Sequence, residues 1–167
     1  MRNNIVLTGM MGSGKTTLGK ILAEQLNVKF FDTDKEIEKY SKMQIETIFK
    51  KKGETNFRKI EEKICYQIIN DENKVVALGG GAFLNSKIRQ HILKNSLSIW
   101  IDTDLETIIR RIKSSKNLRP MLDYSKLKSS IEDTLKKRKP IYKLADIKIS
   151  TLGKSKFKII SEIKKYL

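Results

Sequence analysis

Apolar residues fall along this chain in two rhythms. Short continuous runs, mostly β-branched or aromatic, lie at 4–8, 29–31, 75–78, 97–101 and 147–149. Runs of this length bounded by turn residues predict buried strands. Between them the apolar positions recur every three or four residues, as in Leu18, Ile21, Leu22 and Leu26. That spacing predicts a helix over 17–26, two short helices within 35–52 broken near Ser41, and a longer one over 55–69 after a stop at Gly53. Further helices are predicted over 88–93, 105–112, 127–137 and 157–167, with a polar loop at 114–124. Strands alternating with helices imply one α/β domain, a five-stranded parallel sheet with helices on both faces. Ligands of such sheets collect at the carboxyl ends of the strands. Thr8-Gly9, Asp32-Thr33-Asp34 and Gly79-Gly80-Gly81 all fall there.

A chain of 167 residues suits a single domain with a proper core. No apolar run reaches the roughly 18 residues of a membrane span, and Met1-Arg2-Asn3-Asn4 leads directly into the first strand, leaving no room for a signal peptide. Cys65 is alone and cannot form an internal disulfide, so packing is its expected role. A cytoplasmic monomer is the expectation. The formal charge of +16 raises nucleic-acid binding, but the lysines are spread through Lys50-Lys51-Lys52, Lys136-Lys137 and Lys164-Lys165 without interleaved aromatics. They read as solvated surface that attracts anionic substrates, with neither nucleic acid nor membrane as partner. Against this excess the seven arginines stand out: Arg2, Arg58, Arg89, Arg110, Arg111, Arg119 and Arg138. Arginine is expected to persist where its planar fork recognises carboxylate or phosphate. Arg89 and Arg111 nevertheless read as surface charges, and His91 as an ordinary helix residue.

The most specific segment is Gly9-Met10-Met11-Gly12-Ser13-Gly14-Lys15-Thr16, which has the G-x-x-x-x-G-K-[ST] form of a phosphate-binding loop. A strand precedes it and a helix follows. Its backbone N–H groups and the positive end of the helix dipole therefore converge on one spot. Gly12, Ser13, Gly14, Lys15, Thr16 and Thr17 are the expected ATP contacts. Lys15 supplies charge to the β/γ oxygens, and the Thr16 hydroxyl can ligate Mg²⁺. Asp34, at the end of the second strand, can accept a proton from an acceptor hydroxyl, the alternative being a helix N-cap. Asp32 projects from the same strand end and can hold Mg²⁺ directly or through water.

Five further motifs follow in order. They are Asp32-Thr33-Asp34, the stretch Gly53-Glu54-Thr55-Asn56-Phe57-Arg58-Lys59-Ile60-Glu61, Gly79-Gly80-Gly81, Arg119-Pro120-Met121-Leu122, and Arg138-Lys139-Pro140-Ile141-Tyr142. Together with the phosphate loop they resemble the shikimate kinase family, from the first residue to about Tyr142. The resemblance implies a P-loop small-molecule kinase with a mobile lid at about 114–124 and an acceptor-binding region at about 33–61. Its implied reaction is ATP-dependent phosphorylation of the shikimate 3-hydroxyl, with Mg²⁺, in aromatic amino-acid biosynthesis. Asp34, Lys15 and Arg119 would be catalytic. Asp34, Arg58, Gly79, Gly80, Gly81 and Arg138 would bind shikimate, with the two arginines on its carboxylate and Glu61 orienting Arg58. Arg119 resembles the lid arginine that closes over the phosphates, and Arg110 the adenine-stacking residue. The glycines would let backbone N–H groups approach the ligand. Two positions depart from the pattern: Met121 replaces a leucine, and Thr151-Leu152-Gly153-Lys154 lacks a proline expected near adenine. Gluconate kinase shares the loop and overall fold, but the carboxylate clamp with the triple glycine favours shikimate. A GTP-binding switch would need an Asn-Lys-x-Asp motif, which the chain lacks.

Overall fold

The computed structural model describes residues 4–70, 73–115 and 122–167. Most of the expected lid, and Arg119 with it, lies outside the described residues. Five strands form one parallel sheet: β1 (Asn4–Thr8), β2 (Lys29–Asp32), β3 (Lys74–Ala77), β4 (Ser96–Asp102) and β5 (Ile147–Ser150), in the order β2-β3-β1-β4-β5. The helices are α1 (Lys15–Leu26), α2 (Thr33–Ser41), α3 (Ile45–Asn70), α4 (Ser86–Asn95), α5 (Leu105–Ser114), α6 (Leu127–Tyr142) and α7 (Lys156–Lys164).

Side-chain alternation along the strands divides the core into two layers. Ile5, Leu7, Val75, Ile99 and Ile101 pack with Leu18 and Leu22 of α1 and Ile159, Ile160 and Ile163 of α7. Val6, Val76 and Trp100 point the other way, toward residues from α2 to α6 such as Ile37, Ile64, Ile92, Ile108 and Tyr142. Covered on both faces, the central strands carry no polar stripe, so they appear in the sequence as continuous apolar runs.

Helix ends shift from the expectation by a few residues at several places, such as α4 at Ser86–Asn95 and α7 at Lys156–Lys164, and three of the differences shape the site. Helix α1 starts at Lys15, because Gly14, at φ 100°, turns directly into it. The expected stop at Gly53 is a sharp break, at φ 77° and ψ 168°, after which the helix resumes at once. Helix α6 runs past residue 137, through Arg138 and Pro140 to Tyr142. The proline ring and missing N–H disfavour this continuation. Tertiary contacts favour it: Tyr142 is fully buried, 6.1 Å from the Trp100 ring, and its hydroxyl donates to the Gly80 carbonyl. Among the described residues, no helix is long and apolar enough to cross a membrane.

Candidate active site

The phosphate loop leaves the end of β1, the central strand. Lys15, almost fully buried, folds back so that its Nζ donates to the Gly9 and Met10 carbonyls, each at 2.9 Å. The ammonium thus sits in the ring of the loop. Arg111 reaches across from α5 and donates from Nη1 to the Gly12 carbonyl at 3.0 Å. It is solvent-exposed, but it is not the free surface charge expected.

The β2–α2 junction uses all three residues of Asp32-Thr33-Asp34. Asp32, not Asp34, caps α2: its Oδ1 accepts from the Asp34 and Lys35 backbone N–H groups. Its other oxygen, Oδ2, accepts from the Thr16 hydroxyl at 2.6 Å. Asp34 therefore belongs to the first turn of α2 rather than to a strand end. Thr33, fully buried, accepts the Gly79 N–H on Oγ1 at 2.8 Å and ties the junction to the glycine turn.

Gly79-Gly80-Gly81 follows β3 and is surrounded by charged side chains. A Cβ on Gly79 would overlap the Asp34 carboxylate, and one on Gly81 would lie 2.8 Å from Arg58 Nη1. One on Gly80 would stand 3.3 Å from the Met11 backbone nitrogen and 3.4 Å from Arg138 Nη1. The glycines thus make room for the site's own side chains and loop. Arg138 and Tyr142, one turn apart on α6, both donate to the Gly80 carbonyl, at 3.0 and 2.5 Å. Their i, i+4 spacing was the available signal; their shared acceptor was not legible in the sequence.

Glu61 lies beneath this turn, about 1% exposed. Its Oε2 accepts from Arg58 Nη1 at 2.7 Å, and the Arg58 Nε and Nη2 donate to Glu54 at 3.4 and 3.2 Å. Burial raises the Glu61 carboxyl above its ordinary proton affinity; Arg58 opposes this, Asp34 adds to it and Arg138 opposes it. For Arg58, burial works against the charge, but Glu61 and Glu54 outweigh it and hold the guanidinium more firmly protonated than usual. Cys65 is buried among apolar neighbours, its thiol pushed well up by burial. It packs, as expected.

These groups line one cleft of about 1140 Å³. Gly12, Ser13, Gly14, Lys15, Thr16, Thr17, Asp32, Asp34, Arg58, Gly79, Gly80, Gly81, Arg110 and Arg138 all face it. So do Ile45, Phe49 and Phe57, with the two aromatic rings 4.6 Å apart. By sheet order, the acceptor-side groups gather near β2 and β3 and the turn at 151–154 near β5, with the phosphate loop between them. Arg89 is only half-buried and donates to the Phe83 and Leu84 carbonyls, a local clasp.

A family model described as "Shikimate kinase" matches residues 11–167. A shikimate kinase of Persephonella marina is 44% identical over 160 residues, covering 96% of each chain. One from a Sulfurihydrogenibium species is 43% identical over 162 residues, covering 96% of this chain and 95% of its own. Among solved structures, the shikimate kinase from Acinetobacter baumannii in complex with shikimate superposes with a TM-score of 0.93 at 33% identity, covering 98% of this chain and 92% of that one. With the family match spanning nearly the whole sequence and residues of five of the six motifs lining one cleft, this chain belongs to the shikimate kinase family.

Proposed function

We propose that the cleft transfers the γ-phosphoryl group of ATP to the 3-hydroxyl of shikimate, giving shikimate 3-phosphate and ADP for aromatic amino-acid biosynthesis. The observation that carries this reading is the meeting of Asp34, Arg58 and Arg138 around the triple glycine, beside a phosphate loop. An anionic acceptor with a reactive hydroxyl suits that set. Phosphoryl transfer asks a protein mainly to position its reactants and offset charge. Lys15 is pre-placed among the loop carbonyls and turns to the β/γ oxygens when phosphate enters. Arg58 and Arg138 grip the carboxylate, each charged hydrogen bond worth roughly 1.5–3 kcal/mol. Phe49 and Phe57 offer an apolar wall to a carbocyclic ring. Asp34 holds the hydroxyl in line and accepts its proton as the new O–P bond forms and the bond to the β-phosphate bridge breaks. Arg110 serves the nucleotide base.

The oxygen pair Thr16 Oγ1 and Asp32 Oδ2 offers the hard donors that Mg²⁺ favours, and both groups face the cleft. Thr16 and Asp32 would hold the ion, directly or through water. When bound, Mg²⁺ offsets the charge of the β- and γ-phosphates. A coupled ADP-release assay across shikimate, gluconate and nucleoside monophosphates tests the proposal. Turnover with shikimate alone is expected; preferred turnover of gluconate would overturn the acceptor assignment.

A further inference from the structure

Behind the phosphate loop lies a chain of buried hydroxyls. Thr103, just past β4, is 4% exposed, and Thr151, just past β5, is 9% exposed. The Thr103 hydroxyl donates to the Ser13 carbonyl at 3.2 Å, and the Thr151 hydroxyl donates to Thr103 Oγ1 at 2.9 Å. The direction is forced. A carbonyl can only accept, so the single Thr103 proton goes to Ser13 and Thr151 must supply the second bond. Thr151 is itself held at both ends, its N–H donating to the Asp102 carbonyl and its carbonyl accepting from Lys154. Ser13, Thr151 and Lys154 face the cleft, and Thr103 is not among the residues that line it.

The Ser13 carbonyl and the Gly14 N–H share one planar trans peptide and point in opposite directions. A hydroxyl that holds the carbonyl toward the body of the domain therefore turns the Gly14 N–H toward the cleft, where a phosphate would accept it. We propose that Thr103 is a positioning residue for the nucleotide phosphates, acting through the Ser13–Gly14 peptide, and that Thr151 links it to the turn at 151–154. The inference rests on the cleft being a nucleotide site. It predicts a selective defect. Loss of the brace should weaken ligands that carry phosphate, sparing both the base alone and the acceptor.

The test compares Thr103→Val, which keeps shape and removes the hydroxyl, with Thr103→Ser, which restores it, and with Thr151→Val. ADP and adenosine are titrated against each variant by calorimetry, alongside steady-state kinetics with ATP and shikimate. Thr103→Val should weaken ADP binding by about tenfold, the scale of one buried hydrogen bond left unmade. The KM for ATP should follow, with adenosine binding and the KM for shikimate unchanged, and Thr103→Ser should recover ADP binding. Thr151→Val keeps the bond to Ser13 and should show the same selectivity at smaller amplitude. It carries the test should Thr103→Val fail to melt cooperatively. Equal weakening of ADP and adenosine, wild-type ADP affinity in the valine variants, or no recovery with serine would overturn the proposal. A wild-type protein that does not bind ADP would remove the nucleotide site itself, a result distinguishable from failure of the brace alone.

Discussion

The Thr16 hydroxyl donates to Asp32 Oδ2 at 2.6 Å, joining the first turn of α1 to the cap of α2. One carboxylate thus fixes the head of the acceptor-side helix with one oxygen and faces the phosphate loop with the other. Its two roles can be separated. Asp32→Ala removes cap and charge together and should cost about 1 kcal/mol of stability. Asp32→Asn keeps a capping oxygen and should melt near the wild type. Both should need more magnesium for half-maximal turnover. Should Asp32→Asn show an unchanged magnesium requirement, Asp32 is a cap and nothing more.

Glu61 gives the site a pH dependence of predictable sign. Its folded proton affinity is raised, chiefly by burial. Its contribution to stability is therefore full below the unfolded value and is lost as pH rises through the higher folded one. Relative to Glu61→Gln, the wild type should lose stability as pH climbs above about 4.5, read as melting temperature against pH. Protonating Glu61 also removes the charge that orients Arg58. The kcat/KM for shikimate should fall on the acid side, a limb that Glu61→Gln should lack. An identical acid limb in the variant would place the titrating group elsewhere.

Most of the architecture was legible because buried parallel strands are short apolar runs and the phosphate loop is a contiguous motif. What escaped depends on distant partners. Arg111 meets the Gly12 carbonyl across 99 positions, and Tyr142 meets Gly80 across 62. Neither side chain has a local pattern that announces its acceptor. Thr33 occupied the variable place of a motif read for its aspartates, and its bond to the Gly79 N–H closes 46 positions of chain. The α6 boundary erred for the same reason. Pro140 locally disfavours helix, while burial of Tyr142 against the sheet keeps the helix going.

Arg138→Lys should weaken shikimate binding by about 1–3 kcal/mol, because the charge survives but the planar fork does not. Asp34→Asn should act on turnover instead, by about 10²–10⁴-fold for a lost general base. Steady-state kinetics of both, with an ADP titration to show the nucleotide end intact, resolves them. A near wild-type rate for Asp34→Asn would leave the mechanism without its base.

The triple glycine offers the sharpest separation, because its members face different charged groups. Gly79 and Gly81 both lie outside the left-handed region, so alanine is compatible with either backbone. What alanine meets is a side chain. At Gly79 the new Cβ would displace the Asp34 carboxylate and stand 3.5 Å from Glu61 Oε1. A base shifted by about 1 Å can cost about 10²-fold, so Gly79→Ala should lose turnover on that scale while its KM for shikimate changes little. At Gly81 the Cβ would press on both terminal nitrogens of Arg58, at 2.8 and 3.1 Å. That guanidinium ends a flexible side chain and can swing away, so Gly81→Ala should raise the KM for shikimate and largely keep kcat. Melting curves should stay close to wild type for both, since the clashes involve the edge of a cleft and not the core. If the two alanines produce the same kinetic defect, the glycines act through the backbone of the turn, and the assignment of each to its own charged neighbour is wrong.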